Sequence, residues 1–171
     1  MTNIALDDRE MKKKIARVQN AIGSRNMMDG VGLRHLKWVN DNFVSRGGGQ
    51  WAPLSPNTIA SRRKGSSVPL QDTGNLRKSF AHKVAFFGSS VTVGTTNKIA
   101  EYHHTGTRPY TIKPVRAKML YFMTANGPVV ARSVRHPGLP KRPLIMDENE
   151  GKKLAVGIIE AFLKKEIEAR G

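Results

Sequence analysis

Between Phe80 and Val134 the apolar residues of this chain come in short runs separated mostly by turns, whereas on either side of that stretch they recur at helical spacing. That change of period constrains the fold more than any other feature. Met11, Ile15, Val18 and Ile22 stand at i, i+4, i+7 and i+11, one face of a helix, with Lys12, Lys13, Lys14 and Arg17 largely elsewhere on it. The pattern predicts a first helix over about 7–26, with Asp7 or Asp8 as its cap. Asp29 and Gly30 are expected to break it. Leu36, Val39 and Phe43 resume the period, which predicts a second helix ending before the glycine run 47–49.

The middle of the chain reads differently. Phe80–Phe87 and Val91–Thr95 are β-prone runs around Gly88, Ser89 and Ser90, a hairpin signal. Asn97–His104 reads as a short helix closed by Gly106, and Tyr110–Ile112, Met119–Met123 and Val129–Val134 are three further strand candidates. From Glu148 to Ala169 helical spacing returns, with Leu154, Ile158 and Phe162 beside Ile159, Leu163 and Ile167. Helices flanking strands that are joined by short turns indicate an α+β fold: two N-terminal amphipathic helices, a central mainly antiparallel β-sheet with short helices, and a C-terminal helix. We expect a single domain over 1–171, with a helical N-terminal segment over 1–46, loop and short helices over 47–79, a β-rich core over 80–147 and the terminal helix over 148–171.

Composition removes several function classes. Without cysteine the chain has no disulfide scaffold, thiolate zinc site, iron–sulfur cluster or cysteine nucleophile. Its length is sufficient for a core that needs no such staple. Met1–Glu10 carries Asp7, Asp8 and Glu10 and no apolar run, so neither a signal peptide nor a transit sequence is expected, and no stretch approaches a membrane span. A soluble protein is the expectation. The net charge of +16 is concentrated: residues 42–146 hold 16 Lys and Arg against two acids, Asp72 and Glu101. Such an excess attracts phosphate backbones or acidic protein surfaces.

Candidate chemistry is sparse. Asp72, Thr73 and Gly74 spell the triplet of aspartic proteases, but that chemistry needs two carboxylates sharing a proton, and the residues after this triplet have a helical pattern. A local helix cap at Asp72 or Thr73 explains it better. His103 and His104 diverge by about 100° on a helix and cannot easily share a metal. Neither a nucleophile elbow nor a phosphate-cradling glycine loop is present. No catalytic residue, metal ligand or cofactor site is therefore expected. Ser55 and Pro56 form an N-cap and first-turn pair, with Trp51 and Leu54 as anchors of the preceding loop. Arg62, Arg63 and Lys64, followed by Gly65, Ser66 and Ser67, form a basic loop with little apolar surface to hold it, suited to DNA or partner contact without base readout.

Taken together, several units resemble the phage virion-morphogenesis and tail-completion family, which includes Mu-like morphogenesis proteins and the minor tail protein Z of lambda-like phages. The units are Trp51, Leu54, Ser55 and Thr58; then Leu70, Asp72, Thr73, Gly74, Leu76 and Ser79; then Tyr102, Thr105 and Gly106; and finally Val134, Arg135, His136, Pro137 and Gly138 with Arg142, Pro143 and Leu144 behind. The resemblance implies a structural protein of the virion neck, needed for tail completion and head–tail joining and assembled in the host cytoplasm. It implies a homo-oligomeric ring, a hexamer, beside neighbouring neck proteins (a connector or stopper, a tail terminator, a tail tube), with genomic DNA in the channel, no membrane, no cofactor and no reaction. A sequence-non-specific nucleic-acid-binding protein is the alternative that the charge alone supports.

Overall fold

The computed structural model describes residues 9–62 and 65–168. The fold is mixed α+β, with long helices at both ends and short strands and helices between them. Two compact units are interleaved along the chain, the first comprising Met1–Lys37, Ala81–Val93 and Asp147–Gly171 and the second Trp38–Phe80 and Gly94–Met146. No helix among the described residues is long and apolar enough to cross a membrane.

In the first unit, helix α1 (Arg9–Ala21) gives way at Gly23 and Ser24 to α2 (Arg25–Val44), which belongs to this unit as far as Lys37. Ser24 caps the new helix: its Oγ accepts from the Met27 amide at 3.3 Å and its carbonyl from the Met28 amide at 3.1 Å. The expected break at Asp29 and Gly30 is thus displaced, and both residues lie inside α2. A glycine within a helix costs only about 1 kcal/mol, and the turn that contains it buries Met27 and Val31. Asp29 has a further task, since its Oδ1 lies 2.7 Å from His82 Nε2 and ties α2 to β1 (Ala81–Val84). The proposed caps Asp7 and Asp8 lie outside the described residues.

Strand β1 pairs with β2 (Val91–Gly94) across a turn in which the Ala85 amide donates to the Ser90 carbonyl. The strand is shorter than the run Phe80–Phe87 suggests, because Phe86 and Phe87 sit in the turn, 85% and 86% exposed and edge-to-face at 5.0 Å. The terminal helix α6 (Glu148–Glu168) begins where Asp147 Oδ1 accepts from the Glu150 amide, and Glu148 and Glu150 in its first turn complement the helix dipole. It packs on α1. Several apolar side chains of this pair nonetheless stay open to solvent, among them Met11, Ile15, Val156 and Ile167.

The second unit has the better-formed core. Val39, Phe43, Trp51, Leu76, Ala100 and Leu144 are buried together, and Phe43 meets Trp51 and Phe80 edge-to-face at 5.5 and 5.9 Å. Trp51 is anchored to the core as its loop position suggests. Short helices α3 (Pro56–Ala60), α4 (Asn75–Lys78) and α5 (Lys98–Thr105) surround this cluster. Strand β3 (Tyr110–Ile112) pairs antiparallel with β6 (Val134–His136), and β4 (Leu120–Thr124) with β5 (Gly127–Ala131). The antiparallel character is as expected, but among the described residues it is divided over three two-stranded ladders. The expected run Val129–Val134 is split accordingly: Val134 leaves β5 and faces Ile112 in the other ladder.

Candidate functional site

The units singled out in the sequence converge on one cleft of the second unit, with a volume of about 440 Å³. Leu54, Ser55 and Thr58 supply one wall, Asp72, Thr73 and Leu76 another, and His136, Pro137 and Gly138 a third, with Arg62, His103 and Arg142 also lining it.

Each wall has a local cause. Ser55 is the N-cap of α3, as its sequence position suggests: its Oγ accepts from the Thr58 amide at 3.2 Å, and Pro56 occupies the first turn, where a missing N–H costs nothing. The second wall corrects the expectation for Asp72. Gly74, with φ 76°, holds the N-cap position of α4 without a side-chain cap, and Thr73 Oγ1 accepts from the Asn75 amide. Asp72 caps nothing and is exposed at the cleft margin. The third wall is fastened to the end of α5 by hydrogen bonds of the backbone and of the Thr107 hydroxyl. The Thr107 amide donates to the Leu139 carbonyl at 3.0 Å, the Leu139 amide to Thr107 Oγ1 at 2.9 Å, and the Arg142 amide to the His103 carbonyl at 2.7 Å. That approach explains Gly106 and Gly138, both at positive φ. A Cβ would stand 2.8 Å from the Leu139 carbonyl oxygen at Gly106 and 2.2 Å from the Thr107 carbonyl oxygen at Gly138.

The electrostatics are unusual at Arg142, which is 3% exposed. Arginine is almost never so buried without a paired acid. Its Nη2 donates to the Ala52 carbonyl at 2.8 Å, its Nε is buried without a partner, and no carboxylate among the described residues lies within ion-pair distance. Burial first, and then the charge of Arg62, push its pKa down. Nearby, His103 Nδ1 is also buried without a partner, and burial followed by the Arg142 charge lowers the pKa of this imidazole. The two adjacent histidines diverge as their helical spacing requires. His103 lines this cleft, while His104 accepts from the Leu144 amide at 3.0 Å and lines another. Among the described residues no group of three or more His, Asp or Glu is placed to hold a metal ion.

The profile of the phage virion morphogenesis family matches residues 6–164, the span that contains the cleft and nearly all of both units. The chain belongs to the phage virion morphogenesis family. No curated protein and no solved structure matched it. As a member of this family it has a structural role in phage morphogenesis and is associated with the virion.

Within this family member, the basic loop differs from its sequence expectation. Arg62 is half-buried and its Nη1 donates to the carbonyls of Ser66 at 3.0 Å and Val68 at 2.6 Å, so the side chain closes its own loop. Arg63 and Lys64 lie outside the described residues. In the sequence Arg142 stands only as one member of a motif, with nothing in its own residue type that marks it as buried. The available signal was its place beside Leu144, which is 1% exposed: a cation two residues from a core leucine is drawn inward with it.

Proposed function

We propose that this virion-morphogenesis protein is a component of the neck, where it completes the tail and joins it to the DNA-filled head as one subunit of a closed ring. The observation that carries the reading is the apolar surface the lone chain leaves open. Met11, Ile15 and Ile22 are 62%, 51% and 58% exposed, and the paired rings of Phe86 and Phe87 stand in a turn with no cover. Patches of this kind mark contacts with other proteins. Heterologous contacts between identical copies close into a ring when the rotation permits, and the resemblance argues for six copies.

In this reading the protein acts by contact alone, without a cofactor or a reaction. Its neighbours are the connector or stopper on one side and the tail terminator or tail tube on the other. A reconstruction of the particle is expected to place this chain as a ring at the head–tail junction, and particles made without it are expected to accumulate as separate heads and tails. A junction lacking the chain refutes the proposal. The second unit holds 15 Lys and Arg against three acids, which keeps a DNA-binding role in view. Strong binding of the isolated chain to duplexes of unrelated sequence, falling steeply with salt, would favour that role over the neck.

A further inference from the structure

We propose that the cleft of the second unit is a socket for a carboxylate carried on an acidic protein segment of a neighbouring virion component. The Arg142 guanidinium anchors the socket. It has five N–H donors, of which one finds an acceptor, on Ala52, while Nε faces none. A buried charge without a counter-ion is costly. Arg62 adds a second cation close enough to bear on the first, and its own hydrogen bonds go to backbone carbonyls, so no anion separates the two. His103 contributes another unpartnered buried nitrogen beside them.

The walls select the ligand further. Leu54, Leu70, Leu76, Ile99 and Pro140 line the same space, so an entering carboxylate exchanges water for an apolar surround in which its attraction to Arg142 is stronger. Flanking apolar side chains on the incoming segment find matching surface. A duplex phosphate does not fit these terms. Phosphates on a duplex are read by cations that reach outward, whereas Arg142 is 3% exposed. A carboxylate on a flexible peptide can enter where a phosphate on a rigid duplex cannot.

This inference rests on the reading of the protein as an assembly component, but its failure is separable, because it is tested on the isolated chain and not in the particle. The probes are an N-acetylated, C-amidated Gly-Leu-Glu-Leu-Gly peptide, its Gln counterpart, and a DNA duplex, each titrated while the Arg142 Nε–H and His103 ring resonances are followed by NMR. The Glu peptide is expected to shift both resonances and to bind at least ~10-fold more tightly than the Gln peptide. The duplex is expected to shift surface Lys and Arg signals and leave Arg142 Nε–H in place. Arg142→Met should abolish the Glu preference, and Arg142→Lys, which keeps the charge but loses the planar fork, should reduce it. Equal binding of the two peptides, no response at Arg142 up to about 10 mM peptide, or a duplex response at Arg142 equal to that of the Glu peptide would each overturn the socket. The Glu-against-Gln comparison uses the unmodified protein, so it decides the matter even if both variants fail to fold.

Discussion

Replacing Gly138 with alanine should be among the most damaging single-methyl additions available to this chain. Two effects combine. The backbone at Gly138 has φ 92°, and an L-residue held at positive φ loses about 1–2 kcal/mol. The added Cβ would also lie 2.2 Å from the Thr107 carbonyl oxygen and 3.0 Å from the Arg108 carbonyl carbon, both backbone atoms that cannot swing aside as a side-chain tip can. Overpacking of that kind costs about 1–3 kcal/mol. Together they come to about 2–5 kcal/mol. Gly48→Ala is the control, because Gly48 has φ 63° and nothing within 4 Å of its virtual Cβ, so it should lose only the backbone contribution, about 1–2 kcal/mol. Urea unfolding followed by tryptophan fluorescence reads the difference well, since both tryptophans, Trp38 and Trp51, belong to the second unit. Midpoints should fall in the order wild type, Gly48→Ala, Gly138→Ala at constant m. If Gly138→Ala is no less stable than Gly48→Ala, the close approach of the 138–141 segment to the end of α5 is not what fixes glycine there.

Two other outcomes follow from the same cleft. Because burial and then the Arg142 charge hold the His103 pKa below its ordinary 6.5, the unfolded chain binds more protons than the folded one on acidification. The contribution of His103 to stability is therefore complete above about pH 6.5 and is lost as the pH falls through the folded pKa, so the urea midpoint should drop between about pH 7 and 5 by more in wild type than in His103→Asn. Ser55→Ala should cost about 1 kcal/mol of stability through the lost cap of α3, whereas Asp72→Ala should stay within about 0.5 kcal/mol; the reverse ranking in thermal melts would restore Asp72 as the capping residue.

The sequence made the helices legible wherever period and punctuation agreed. Ser55 and Pro56 open α3, Gly106 closes α5, and the spacing of Leu154, Ile158 and Phe162 marks α6. Where they disagreed, the period was the better guide. Asp29 and Gly30 look like a stop, yet the buried Met27 and Val31 carry α2 through them, and the true break at Gly23 and Ser24 is set by a cap that a serine announces only weakly. Strand pairing was the least visible. Val134 continues the β-prone run of β5 in sequence, but its partner Ile112 lies far back along the chain, and local pattern carries no information about that choice. The walls of the cleft could be named from the sequence because each is a compact local motif. Its cationic floor could not, since a lone arginine beside a lysine and two prolines reads as surface, and only long-range packing against Ala52 and His103 takes it inside.

The division of the β structure into three two-stranded ladders bears on how copies of the chain treat one another before they meet their neighbours. Each described strand has one flank without a ladder partner among the described residues, and such flanks are templates on which another chain can polymerise. A pair of strands is also marginal by itself in water. The shared charge of +16 opposes such pairing by mutual repulsion and so acts as a gatekeeper. Salt weakens that protection, with a screening length of about 8 Å at physiological strength. The purified chain should therefore scatter more light as salt rises, the opposite of a complex held together by opposite charges. In the cell, the same gatekeeper would yield first to an acidic surface, so that correct docking is preferred to runaway stacking of strands.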